Sequence, residues 1–216
     1  MIRFTQVSKA YRGGRPALQG LNFHLLKGSL TYILGHSGAG KSTLLKLIMA
    51  MEKANGGKIE FNGYDITRLP NREIPFLRRQ IGMVHQNYCL LPDYNIRDNV
   101  ALPLIIAGIS PKFANKEADR ALDLVGLMNS REAFPDEVSG GEQQRVDIAR
   151  AIVHKPRVLL ADEPTGNLDK LLAKEIFYLF ERCNQMGMTV LIATHDIDLV
   201  SPSKRILHLN HGHLES

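Results

Sequence analysis

Two kinds of hydrophobic pattern divide the chain. Near the start, IRFTQV alternates apolar and polar positions, and LQGLNFHLL (residues 18–26) does so more loosely, which predicts strands with one buried face. KIEFNG followed by YDI predicts a further strand that turns at Asn62-Gly63, a dipeptide suited to a tight hairpin. These pieces predict a small antiparallel sheet. TYIL (31–34), RVLLAD (157–162) and TVLIAT (189–194) are instead apolar almost throughout, as in strands covered on both faces of a parallel sheet. KSTLLKLIMAME, after the first of these, carries helical periodicity. LDKLLAKEIFYLFERCNQ, between the other two, has both the periodicity and the length of a crossover helix and completes a β-α-β unit.

From about residue 87 to residue 150 no buried-strand run occurs. Pro103 and Pro111 are expected to limit one short helix, ALPLIIAGI, and NKEADRALDLVGLM predicts a second. The expected organisation is one domain: an α/β core at 1–86 and 151–216 carrying the antiparallel β subdomain, with a helical subdomain inserted at 87–150.

Composition changes this picture little. Hydrophobic residues make up 44% and charged residues 23% of 216 residues, as in ordinary globular proteins. The net charge of +5 is scattered, densest in FLRRQ (76–80) and SKR (203–205), and favours solvated faces over a nucleic-acid tail. Cys89 and Cys183 are far apart and form no C-x-x-C, so neither a disulfide framework nor a metal site is expected. MIRFTQVSKAY lacks the apolar core of a signal peptide. The longest uncharged apolar run, VALPLIIAGI (100–109), is about half a membrane span, so any membrane role is expected to come through a partner.

The chemistry begins at residues 35–42. GHSGAGKS matches G-x-x-x-x-G-K-S between a strand and a helix, where glycines let backbone N–H groups turn towards phosphates and the helix start adds its positive end. Lys41 is placed to reach the β- and γ-phosphates and Ser42 to ligate Mg²⁺. VLLADE ends a buried strand in two carboxylates at the ligand-binding edge of an α/β sheet, which suits Asp162 to the Mg²⁺ shell and Glu163 to the attacking water. VSGGEQQRVDIAR (138–150) looks like a second phosphate loop, yet Ser139 and Glu142 also form the S-x-x-E of a capping box opening an ordinary helix. A GTPase would need N-K-x-D after a strand; NKEAD misses it by one residue and lies in a helical stretch. A small-molecule kinase would lack SGGE.

GHSGAGKST, VSGGEQQR, LLADEPTGNLD and ATHD, in this order, resemble the nucleotide-binding subunit of an ABC ATPase over essentially the entire chain. The fold this implies is a P-loop ABC-type nucleotide-binding domain, α/β, with an antiparallel β subdomain and an inserted helical subdomain. Longer stretches, among them FLRRQIGMV and DNVALPLIIAG, are most similar to the branch that works in bacterial cell division, and His36, where many relatives carry proline, favours it too. The resemblance implies an ATP-dependent homodimer, head to tail, in which Ser139, Gly140, Gly141, Glu142 and Asp169 of one subunit meet the ATP held by Gly35, His36, Ser37, Gly38, Ala39, Gly40, Lys41, Ser42 and Thr43 of the other. It further implies that Tyr11 stacks on adenine, that Gln86 senses Mg²⁺ and water, and that His195 contacts the γ-phosphate. The capping box and the phosphate role are compatible, since Glu142 can hold the helix start that presents Ser139.

Departures from the family pattern are His85 and Asn87, where an aromatic and an acid are common, Val138 and Glu142 in the signature, and Asp147 in a place often given to glycine. None removes a phosphate or metal group; His85, Asn87 and Asp147 put the details of partner contact in doubt. The expected function is ATP hydrolysis on the cytoplasmic face of the bacterial inner membrane, coupled to an integral membrane partner that controls septal cell-wall hydrolysis, with no direct nucleic-acid contact. The rival readings are the ATPase of a lipoprotein-release or export transporter and, from another class, a soluble ABC protein acting on nucleic acid or ribosomes. Residues 86–109 hold more apolar side chains than a short helical insertion buries, which predicts an exposed groove for an amphipathic helix of the partner.

Overall fold

The computed structural model describes residues 1–14, 16–166, 168–201 and 204–215. Ser203 of the basic SKR and Asn167 of GNLD lie outside the described residues. Along the chain come β1 (Ile2–Ala10), β2 (Pro16–Leu25), β3 (Leu30–Leu34), α1 (Lys41–Ile48), β4 (Gly56–Phe61), β5 (Tyr64–Asp65) and α2 (Ile74–Arg78). There follow β6 (Ile81–Val84), α3 (Ile96–Ile106), α4 (Pro111–Leu124), α5 (Gly140–Ile152), β7 (Val158–Asp162), α6 (Lys170–Gln185), β8 (Thr189–Thr194), β9 (Arg205–Asn210) and β10 (His213–Glu215). Two compact units result, residues 1–78 with 183–216, and residues 79–182.

In the first unit, β1 runs antiparallel between β2 and β4, and β5 borders β4. Ile2, Phe4 and Val7 are buried, and Phe4 stacks on Phe23 with ring centroids 4.5 Å apart. Asn62 and Gly63 both take positive φ (51° and 86°), the tight turn their pairing predicts. β3 is the centre of a second sheet, parallel to β8 on one side and to β9 on the other, with β10 returning antiparallel along β9. Its buried run Leu30 to Ile33 is the near-continuous apolar pattern such a position demands. α1 ends at Ile48, earlier than its periodicity predicts, because the chain swings into a left-handed turn at Ala50 (φ 48°). The β9–β10 hairpin was not expected; β9 buries only Leu209 fully, too weak a pattern to signal a strand.

In the second unit, β6 and β7 pair in parallel with Val84 opposite Ala161. Residues 87–150 hold α3, α4, two 3₁₀ turns and α5, with no strand. α3 corrects one expectation. It is not limited by Pro103 but begins at Ile96, capped by Asn95, whose side chain accepts from the Asp98 N–H at 2.8 Å, and runs through Pro103. The helix continues because its first turns are fixed by the cap and by the buried Ile96, Asn99, Val100 and Ala101, so the proline falls in the last turn and a half, where it interrupts little. The buried Asn99 amide donates to the carbonyls of Leu91, Tyr94 and Asn95, tying the preceding loop to the helix. Among the described residues no helix is long and apolar enough to cross a membrane.

Candidate active site

The first unit carries the phosphate loop at the carboxyl end of β3. Gly40 is the N-cap of α1 with φ 108°, a conformation open to glycine, and a Cβ there would stand 2.5 Å from the Ala17 carbonyl oxygen. At Gly35 a Cβ would lie 2.3 Å from the Leu209 carbonyl oxygen. The loop is thus pressed against neighbouring backbone on two sides and cannot accept side chains at either position. Lys41 is buried and its Nζ donates to the carbonyls of Gly35 (2.6 Å) and His36 (3.1 Å), folding the ammonium back across the loop. His36, Ser37, Gly38 and Ser42 are exposed. A glycine-bearing loop at a helix start, with the lysine that opens the helix folded across it, suits a triphosphate.

Two further predicted residues share this unit. The hydroxyl of Tyr11 lies 3.4 Å from Thr43 Oγ1, so the expected adenine platform abuts the phosphate loop's last residue. His195 follows β8, one residue past the Leu34–Thr194 pairing, and the Gly35 N–H donates to the Thr194 carbonyl at 3.3 Å. Strand register therefore sets His195 at the same sheet edge as Gly35.

The second unit carries Gln86, Asp162, Glu163, the signature sequence and Asp169. Gln86 is two residues past Val84 and Asp162 one past Ala161, which puts them at the same end of the β6–β7 pair. Glu163 has a left-handed backbone (φ 48°), rare for a residue with a Cβ, and its carbonyl accepts from Gly166 N–H at 3.2 Å to close a turn. Gln86 Nε2 would stand 3.4 Å from a Cβ at Gly166, so this amide lies over the turn after Glu163. Asp169 caps α6, accepting from the Leu171 and Leu172 N–H groups at 2.9 and 3.0 Å.

α5 opens with the capping box. Ser139 donates its N–H and its hydroxyl to Glu142 Oε2 at 2.9 and 2.7 Å, and its Oγ accepts from the Glu142 N–H at 3.4 Å. These bonds hold the Glu142 carboxyl below the usual carboxylate range. Gly140 is exposed, with only Tyr88 Oη near a would-be Cβ, at 3.3 Å. An exposed helix start with a small capping residue presents free amide donors to an anion.

Residues 18–166 match the ABC transporter family. Over its full length the chain is 68% identical to the cell division ATP-binding protein FtsE of Haemophilus influenzae, covering 99% of each. This chain belongs to the FtsE family of ABC ATPases. Its FtsE relatives in Escherichia coli and Bacillus subtilis are 60% and 44% identical over 99% and 98% of the chain and 97% and 93% of their own lengths. Among solved structures, a dimeric form of the bacterial ABC transporter cassette MJ0796 is 35% identical with a TM-score of 0.91, covering 100% of this chain and 97% of that one. The same cassette in a dimeric post-hydrolysis state bound to ADP and Pi superposes equally well, with a TM-score of 0.91 at 34% identity. The expected fold, ATP binding and ATPase class of the FtsE-family chain are therefore established.

Sequence reasoning missed two supports of this FtsE-family site. Lys9 is buried, bonds Glu52 Oε2 at 2.7 Å and the Lys53 carbonyl at 2.9 Å, and sits 5.0 Å from the centroid of the Tyr11 ring. It steadies the Tyr11 ring by a cation–π contact. The β9–β10 turn grips the phosphate loop. Gly212 N–H donates to the Ala39 carbonyl at 3.0 Å, His36 Nε2 is 3.2 Å from Asn210 Oδ1, and the His36 and His211 rings lie 4.7 Å apart. No local motif signals either support; the only hint is the turn sequence NHG between two short apolar stretches.

Proposed function

We propose that this FtsE-family ATPase acts in bacterial cell division with an FtsX-type integral membrane protein, coupling ATP hydrolysis to control of septal cell-wall hydrolysis from the cytoplasmic face of the inner membrane. The observation that carries this reading is the 68% identity, over 99% of both chains, to a relative named for cell division. The transporter cassettes it superposes on are only 34–35% identical, which weighs against the lipoprotein-release or export role.

In this reading ATP binds with its phosphates in the loop of residues 35–43 and its base on Tyr11. Lys41 leaves the Gly35 and His36 carbonyls for the β- and γ-phosphates. Hydroxyl, amide and carboxylate oxygens at Ser42, Gln86 and Asp162 are the hard donors that suit Mg²⁺, an ion that keeps waters and phosphate oxygens as its remaining ligands. When bound, Mg²⁺ supplies charge neutralisation on the phosphates. Glu163 orients the attacking water, Gln86 lies beside it, and His195 contacts the γ-phosphate. Ser139, Gly140 and Gly141, steadied by Glu142, serve the ATP of a second subunit, with Asp169 at the same interface. The dimeric form of the solved cassettes supports that arrangement.

The partner surface is assigned to α3 and α4. Ile106 and Phe113 are 72% and 65% exposed, and Leu104, Ile109 and Phe113 line a groove of about 440 Å³ bordered by Glu117 and Lys155. An apolar groove between helices suits an amphipathic helix. Purification of the tagged chain from membranes tests the reading. Recovery of an FtsX-type protein supports it, and recovery of a lipoprotein-release or export permease in its place overturns it.

A further inference from the structure

Two of the departures noted in the sequence meet in the structure. Asp147, in the middle of α5, is completely buried, and its Oδ2 accepts the backbone N–H of His85 at 2.8 Å. Its Oδ1 accepts from Arg150 Nη2 at 2.6 Å, one turn further along the helix. The same guanidinium reaches back to the opposite side of the loop, donating from Nη2 to the Tyr88 carbonyl at 2.6 Å and from Nη1 to the Cys89 carbonyl at 2.8 Å. The His85 ring adds no hydrogen bond, since its Nδ1 is 3.9 Å from Asp147 Oδ2.

The pattern has a simple outcome. Two side chains of α5 fix the backbone at residues 85, 88 and 89, on either side of Gln86, and leave Gln86 itself exposed. Charge-assisted bonds are short and strong, and their carboxylate, Asp147, is fully buried, so this stretch is held rigidly to the helix. Tyr88 meets the same helix again at its first residue, Gly140, while the Gln86 amide lies over the Glu163–Gly166 turn.

We propose that Asp147 and Arg150 are positioning residues for Gln86. Acting through the backbone of residues 85–89, they hold the Gln86 carboxamide over the turn that follows the catalytic carboxylates. The proposal rests on the reading that Gln86 takes part in hydrolysis.

A double-mutant cycle separates positioning from general stability. The parent, Asp147→Ala, Gln86→Ala and the double variant are compared for kcat and, by titration with a fluorescent ATP analogue, for nucleotide affinity. Asp147→Ala is expected to lower kcat about 10–100-fold, the scale of a small misplacement of a reacting group, with affinity within about twofold of the parent. In the Gln86→Ala background the same change is expected to cost less than about twofold, because its route is already removed. If Gln86→Ala retains parental kcat, the role of Gln86 fails and this proposal with it. If Gln86→Ala is impaired and Asp147→Ala costs equally in both backgrounds, only the positioning proposal is overturned. Asp147→Asn, which keeps the size and one acceptor oxygen, carries the same cycle where the alanine chain does not fold.

Discussion

At Glu163 the backbone turns left-handed immediately after Asp162, the last residue of β7. The two adjacent acids are assigned different chemical roles, and the roles separate by mutation. Glu163→Gln is expected to keep ATP affinity and lower kcat by about 10²–10⁴-fold, the contribution of a positioned base. Asp162→Asn is expected to weaken Mg²⁺-dependent nucleotide binding itself; titrations with and without Mg²⁺ beside steady-state turnover check both. Asp162, Glu163 and Lys41 stand out in the sequence as candidates because each motif packs its chemistry into consecutive positions. The positive φ at Glu163 was not legible, since no glycine marks it. Nor was the Lys9–Glu52 pair beneath Tyr11, whose partners are 43 positions apart in the chain and share no pattern. Lys9→Met is expected to raise the KM for ATP several-fold at unchanged kcat, about what a lost cation–π contact costs.

Among the elements, α5 shows how one helix start serves both stability and chemistry. Ser139→Ala removes the cap and is expected to cost about 1 kcal/mol of unfolding free energy near neutral pH. The Glu142 carboxyl is held below its ordinary range, so the folded chain binds its proton less readily than the unfolded chain does. Its contribution is therefore complete above the unfolded pKa of about 4.3 and is lost as pH falls through the lower folded value. Denaturation of parent and Ser139→Ala at a series of acidic pH values is expected to show the difference shrinking below about pH 4. The capping box was legible from S-x-x-E alone. The length of α3 was not, because a proline reads locally as a stop, while the buried face and the Asn95 cap that outweigh it are set by packing.

For the whole molecule, the assigned residues divide between the two compact units: Tyr11, the phosphate loop and His195 in one, Gln86, Ser139, Asp162, Glu163 and Asp169 in the other. Sequence pattern placed the helical segment and the parallel strands, because burial on one or both faces leaves a period in the chain. It could not divide the units, since that depends on which distant elements pack most densely. Two outcomes are expected at this scale. With Glu163→Gln blocking turnover, ATP shifts the chain to a tight dimer by light scattering, and adding Ser139→Arg prevents the shift while single-site ATP binding persists. Equal dimerisation would reject a shared site. Ile106→Glu with Phe113→Glu, both on exposed positions, abolishes recruitment to membranes bearing the partner and leaves ATP binding intact; unchanged recruitment would remove α3 and α4 from the partner surface.

The strand that carries the phosphate loop, β3, is made early, yet both of its neighbours come from residues 189–210, and the turn that grips the loop ends at Gly212. A ribosome adding about 5–20 residues per second therefore exposes the glycine-rich segment for many seconds before its frame exists. Nascent chains arrested before residue 205 should fail to retain ATP, whereas chains extended beyond residue 212 and clear of the exit tunnel should bind it. The nucleotide can then stabilise only copies in which β8, β9 and the turn at Gly212 have been made, which ties ATP occupancy to completion of this frame.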